Sequence, residues 1–194
     1  ASLKFGTEQS YVALSRYYDT QSVLPTVTAE AWVKIDSGES GGWSILDYDR
    51  SDYFTFACGD GSTVNSEGGY PEFDTADSSG TMHDLYSSTD ITGTGWRHLA
   101  VVYDGTDKII YIDGVEEVRA SNPHNGDSLG TGVTRYGFIG EGSEATSFDG
   151  GGNTAFFEGS LAEIREWNVA RTQTELQNNK DFRLSGNETG LVGY

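Results

Sequence analysis

Trp96-Arg97-His98-Leu99-Ala100-Val101-Val102-Tyr103-Asp104-Gly105-Thr106-Asp107-Lys108-Ile109-Ile110-Tyr111-Ile112-Asp113-Gly114-Val115 decides the fold class of this 194-residue chain. Two runs rich in β-branched and aromatic residues, 96–103 and 108–112, are separated by Asp104-Gly105-Thr106-Asp107, a cluster of turn formers. Asp113-Gly114 then stands between Ile112 and Val115. A two-residue type I′ hairpin loop needs φ > 0 at both central positions, and Asp-Gly accepts this at little cost. The stretch predicts three successive antiparallel strands, the third over 115–120, and so an all-β protein.

Working outward, period-2 alternation and β-branched or aromatic runs place further strands at 3–5, 11–14, 26–35, 43–47, 53–58, 82–86, 136–140, 156–168 and 191–194. The spacing is that of a sandwich. One helix is predicted, over 172–179. It opens on Thr172-Gln173-Thr174-Glu175, where the Thr172 hydroxyl and the Glu175 carboxylate can satisfy each other's backbone amides as a capping box. Segments 59–80, 121–135 and 141–155 are rich in Gly, Ser, Asp and Asn and read as long loops, the places where a rigid scaffold carries function.

A chain of this length suits one all-β domain, 1–194. Thirty acids against twelve bases give a formal charge of −18. That charge repels phosphate backbones and anionic bilayers, so nucleic acid and membranes are excluded as partners, while divalent cations are attracted. The single Cys58 cannot close an intrachain disulfide and reads as a buried small hydrophobe. No apolar run approaches the roughly 20 residues of a membrane span. The chain enters an alternating strand at Leu3-Lys4-Phe5 at once, as expected for a domain cut from a longer extracellular protein of a bacterial surface and monomeric by itself.

Ile139-Gly140-Glu141-Gly142-Ser143-Glu144-Ala145-Thr146-Ser147-Phe148-Asp149 is the stretch that points to chemistry. Calcium takes six to eight oxygens from carboxylates and carbonyls, and closely spaced acids on a Gly-rich backbone can turn several of them inward. Glu141, Glu144 and Asp149 are therefore candidate calcium ligands.

Five segments in order carry a family resemblance: Phe5-Gly6 with Ser10-Tyr11-Val12-Ala13-Leu14; Val27-Thr28-Ala29-Glu30-Ala31-Trp32-Val33-Lys34; Gly95-Trp96-Arg97-His98-Leu99-Ala100-Val101-Val102-Tyr103-Asp104-Gly105; Ile110-Tyr111-Ile112-Asp113-Gly114; and Gly159-Ser160-Leu161-Ala162-Glu163-Ile164-Arg165-Glu166-Trp167-Asn168. Together the chain resembles the laminin G and pentraxin-like branch of the concanavalin A-like domains. The resemblance implies a curved two-sheet antiparallel jelly roll, and calcium held between an acid just before one strand and a later acidic loop. Asp52, ahead of Tyr53-Phe54-Thr55-Phe56, takes the first position, and Glu141, Glu144 and Asp149 the second. Asp49 ranks behind Asp52, and Asp47 behind Asp49. Glu158 competes with Asp149, because the Gly-rich insertion 145–157 leaves the later acid open. The cysteine pair of pentraxins is missing, with Ala31 and Ala100 near those places.

The scaffold hosts lectins, peptide receptors and glycosidases alike. Laminarinase-type enzymes of this fold carry E-x-D-x-x-E on a strand, with the acids that retain configuration about 5 Å apart. Glu72-Phe73-Asp74-Thr75-Ala76-Asp77 ends on the shorter Asp and lies between Gly68-Gly69-Tyr70-Pro71 and Ser78-Ser79-Gly80, so it reads as loop and no catalytic residues are assigned. His98 reads as structural, and His83 and His124, in or beside loops, have no nucleophile partner or zinc motif. Trp32, Trp96 and Trp167 fall in strand cores. Sugars present apolar C–H faces as well as hydroxyls, so Tyr48, Tyr53, Tyr70, Phe73 and Phe148, with Asn153, are candidate ligand contacts. The expectation is a calcium-dependent carbohydrate-binding adhesion domain for a glycan or cell-surface polysaccharide. The alternatives are a calcium-dependent peptide or protein receptor and a laminarinase-type hydrolase.

Overall fold

The computed structural model describes residues 1–63, 66–152 and 155–194. In chain order the elements are β1 Leu3–Phe5, β2 Val12–Tyr18, β3 Val27–Lys34, β4 Trp43–Asp47, β5 Phe54–Gly59, β6 Tyr70–Ala76, β7 Met82–His83, β8 Arg97–Tyr103, β9 Lys108–Ile112, β10 Val115–Ala120, β11 Arg135–Ile139, β12 Gly159–Trp167, α1 Gln173–Asn179 and β13 Leu191–Gly193. They build two antiparallel sheets. The first runs β1-β12-β3-β8-β9-β10 with β13 beside β12, and the second runs β2-β11-β4-β5-β6-β7.

The expected hairpin is present. Val115 pairs with Ile112, and Asp113 and Gly114 have φ of 53° and 77°. Period-2 alternation packs the sheets face to face: Ala29, Ala31, Val33, Leu99, Val101 and Ile110 of one meet Phe54, Phe56, Cys58 and Phe73 of the other in a single core. Cys58 is buried and free, as its reading required.

The other face of the first sheet is also covered. Ala100, Val102, Ile109 and Tyr111 pack against Leu176 of α1, whose Thr172–Glu175 capping box is formed on both sides. On that sheet Glu30 accepts from His98 Nε2 at 2.9 Å and Trp167 Nε1 at 2.8 Å, beside Arg165, so His98 is structural. The open face of the molecule is therefore the outer face of the second sheet.

Several boundaries differ from the sequence pattern. The composition of 59–80 predicts a loop, yet β6 lies inside the second sheet and pairs with β5 from Phe54↔Thr75 to Gly59↔Tyr70. Its alternation is regular, but acids fill the outward positions, which strand propensity disfavours. β2 extends to Tyr18, and β7 ends at His83, after which Leu85 and Phe73 exchange backbone hydrogen bonds. Trp96 precedes β8 and is 40% exposed rather than in the core, whereas Trp167 is buried.

Candidate functional site: an acidic cavity on the second sheet

Register assembles this site. Asp47 of β4 lies beside Thr55 of β5, which lies beside Asp74 of β6; Ser44, Ala57 and Glu72 form the next row. A bulge between Ser44 and Leu46 puts Ser44 and Asp47 on the same outward face, although they are three residues apart. Leu46, Phe56 and Phe73, the chain neighbours of these residues, point into the core.

Over this floor the chain closes a cavity of about 180 Å³. Asp47, Asp49, Glu72, Asp74 and Glu144 line it with Trp43, and Arg50 is the one cationic side chain among its described lining residues. A side chain at Gly59 would crowd the Glu72 carboxyl.

Electrostatics follow from burial. Asp47, Glu72 and Asp74 are each 2–3% exposed. Burial raises Asp47 to about 7, against hydrogen bonds from Thr55 and the Ser143 amide. Burial and the neighbouring Asp74 raise Glu72 to about 8. Burial and Asp84 lift Asp74, with Lys108 and Arg50 opposing. Glu72 Oε1 and Asp74 Oδ1 are buried without a hydrogen-bond partner. Near neutrality the floor thus holds carboxyl groups that can both donate and accept.

The predicted calcium ligands do not form one cage. Asp49 and Asp52 share Arg135, whose Nε and Nη2 reach them at 2.7 Å each. Asp49 Oδ1 also accepts from the Ser51 amide and hydroxyl, and Asp52 Oδ1 from Thr131. The single guanidinium offsets one of their two charges, and neutral donors hold the rest. Glu144 is exposed and lines the cavity with Asp49. Glu141 is buried against Gly152, and Asp149 is exposed and accepts from Tyr11 at 3.0 Å. Among the described residues, no three of these five acids bring carboxylate oxygens within 4.8 Å of one another. Glu158 is held apart by Ser40.

Of the aromatic candidates, Tyr48 and Tyr53 are wholly buried, so neither can touch a ligand; Tyr48 instead donates to Glu166 at 2.9 Å. Phe73 is core. Tyr70 packs against Gly61, and Phe148 is 58% exposed on the loop that follows β11. Asn153 lies outside the described residues. The catalytic motif divides: Glu72 and Asp74 face the cavity, whereas Asp77 turns away to Ser79, Thr81 and His83. Sequence reasoning left Trp43 unassigned, weighed Glu72 and Asp74 only as part of a hydrolase motif, and ranked Asp47 last among the metal candidates. The signal was the outward alternation of Glu72 and Asp74 about Phe73.

The family model described as the concanavalin A-like lectin/glucanases superfamily matches residues 5–177. No curated protein matches the chain. Among solved structures it is similar to a Bacteroides ovatus protein described as carbohydrate binding (18% identity, TM-score 0.63, covering 94% of this chain and 50% of that one). It is also similar to the binding domain of Paraclostridial Mosquitocidal Protein 1 (13%, 0.63, 91% and 42%). A third is a heptameric SAP-like pentraxin from Limulus polyphemus (14%, 0.60, 91% and 79%). The chain thus spans half or less of the first two relatives, and at these identities the likeness concerns the fold.

Proposed function

Because this chain belongs to the concanavalin A-like lectin/glucanase superfamily, whose members share a scaffold rather than one activity, we propose that it is a carbohydrate-binding domain that takes a glycan in the cavity over β4, β5 and β6 without hydrolysing it. The observation that carries this is the convergence of Asp47, Asp49, Glu72, Asp74 and Glu144 with Trp43 on one cavity. Trp43 offers apolar surface to a sugar's C–H face, and the carboxyl groups bond its hydroxyls. At about 180 Å³ the cavity is smaller than pockets for drug-sized ligands, which suits a single sugar unit or a chain end. The glycan would be an extracellular one, in keeping with a role in adhesion.

The carboxyl-rich lining is the feature that would attract calcium: Glu72 Oε1 and Asp74 Oδ1 are buried and unpartnered, while among the described residues no three of Asp47, Glu72, Asp74 and Glu144 bring ligand oxygens within 4.8 Å of one another, so no more than a pair of them would hold the ion. Water or glycan hydroxyls would complete its shell. Bound calcium would supply positive charge that favours the ionised carboxylates and leaves open positions for vicinal hydroxyls.

A glycan array run with calcium and with EDTA tests the reading. Binding of a defined glycan class, weakened by EDTA, supports it, and no glycan bound in either condition contradicts it. Glu72 and Asp74 on one strand favour one second reading, a retaining hydrolase. Release of reducing ends from β-glucans that vanishes in Glu72→Gln would establish it. The diversion of Asp77 predicts none.

A further inference from the structure

At the edge of the second sheet, away from the cavity floor, three ligating side chains from distant parts of the sequence meet. β6 ends at Ala76 and presents Asp77; β7 pairs alongside, with His83 opposite Thr75; and the segment after β10 brings in His124. Ligand atoms of Asp77, His83 and His124 all lie within 4.8 Å of one another. Asp77 Oδ2 is 3.3 Å from His83 Nε2, and the two imidazole rings are 4.4 Å apart between centroids.

The surrounding hydrogen bonds orient all three groups. Asp77 Oδ1 is fixed by the Ser79 amide and hydroxyl and the Thr81 amide at 2.6–3.0 Å, which leaves Oδ2 turned towards the histidines. Thr75 Oγ1 donates its proton to the His83 carbonyl, so it accepts from His124 Nε2–H at 2.8 Å. That bond sets the tautomer: His124 Nδ1 carries a lone pair. Nδ1 is buried with no hydrogen-bond partner, in a residue only 2% exposed. A metal-bound imidazole characteristically bonds its second nitrogen to such an outer group. Lys108 Nζ donates to the His83 carbonyl, and Asp127 lies beside Ser78, so acids outnumber the one cation around the site.

We propose that Asp77, His83 and His124 form a binding site for a zinc-class divalent ion, which ties the segment after β10 to the sheet edge. Two imidazoles and a carboxylate suit zinc, cobalt or nickel, whereas calcium takes oxygen ligands. Ligand atoms about 2.0–2.1 Å from a tetrahedral zinc lie about 3.4 Å apart, a spacing that Asp77 Oδ2 and His83 Nε2 already have at 3.3 Å, with His124 to close in from within 4.8 Å. The Asp77 and His83 side chains, 14% and 23% exposed, leave an entry path and room for a water as fourth ligand. The site is independent of glycan binding in the cavity.

The test uses untagged protein freed of metal. Calorimetric titration with zinc, and visible absorption of the cobalt form, should give one ion per chain in tetrahedral geometry, unaffected by excess calcium. His83→Gln and Asp77→Asn, both partly exposed positions, should each lower zinc affinity about tenfold or more while the melting curve of the metal-free protein stays cooperative. Saturable binding absent from the folded wild type, or equal affinity in both variants, would overturn the proposal.

Discussion

Glu72 shows how a single side chain in this protein reports its surroundings. Its carboxyl is held to about 8 in the folded chain against 4.5 when free, because β6 buries it beside Asp74. Between those values the folded state binds the proton and the unfolded state does not. Stability from this group is full below about 4.5 and is lost as pH rises through about 8, with a limiting slope of about 1.4 kcal/mol per pH unit. Asp47 adds to the trend between 3.8 and about 7. Glu72→Gln should therefore melt above the wild type at about pH 9 and lose that advantage at about pH 5. Paired thermal melts check this, and a difference independent of pH would contradict the burial of a protonated Glu72. At this scale the sequence was partly legible. Glu144 could be read as facing a site because its loop is acidic and Gly-rich. Asp52 could not be read as paired, because Arg135 belongs to β11, a strand remote in sequence.

Among elements, those with local signals were legible. Asp113-Gly114 and Thr172–Glu175 each encode their geometry within four residues, and both appear as expected. Gly114 also packs against α1, where a Cβ would meet Gln177 Cγ at 2.7 Å. Gly114→Ala should cost about 1–2 kcal/mol from the left-handed backbone alone, with more from the displaced helix. Denaturant unfolding checks it; a loss below about 0.5 kcal/mol would mean that the turn relaxes. β6 was not legible because acids occupy its outward positions and glycines and serines flank it. Alternation tells which residues of one strand share a face, but only sheet order tells which strands are neighbours. Asp47 meets Asp74 through Thr55, and no spacing along the chain reveals that row.

On the scale of the whole molecule, the sandwich was legible, and the cavity now proposed to bind glycan was not. The acidic excess implies a cation, and the resemblance implies ligands at Asp52 and in the 141–149 loop. The fold instead gathers carboxyl groups on the outer face of the second sheet, because α1 covers the first. Glycan binding is proposed for that cavity. Its most direct test is calorimetric titration of the strongest array ligand into wild type, Trp43→Ala and Glu72→Ala, each shown to unfold cooperatively. Loss of about tenfold or more in affinity, about 1.4 kcal/mol, in both variants is the predicted result. Affinity within about twofold of wild type in both would place the glycan elsewhere on the molecule and contradict the account.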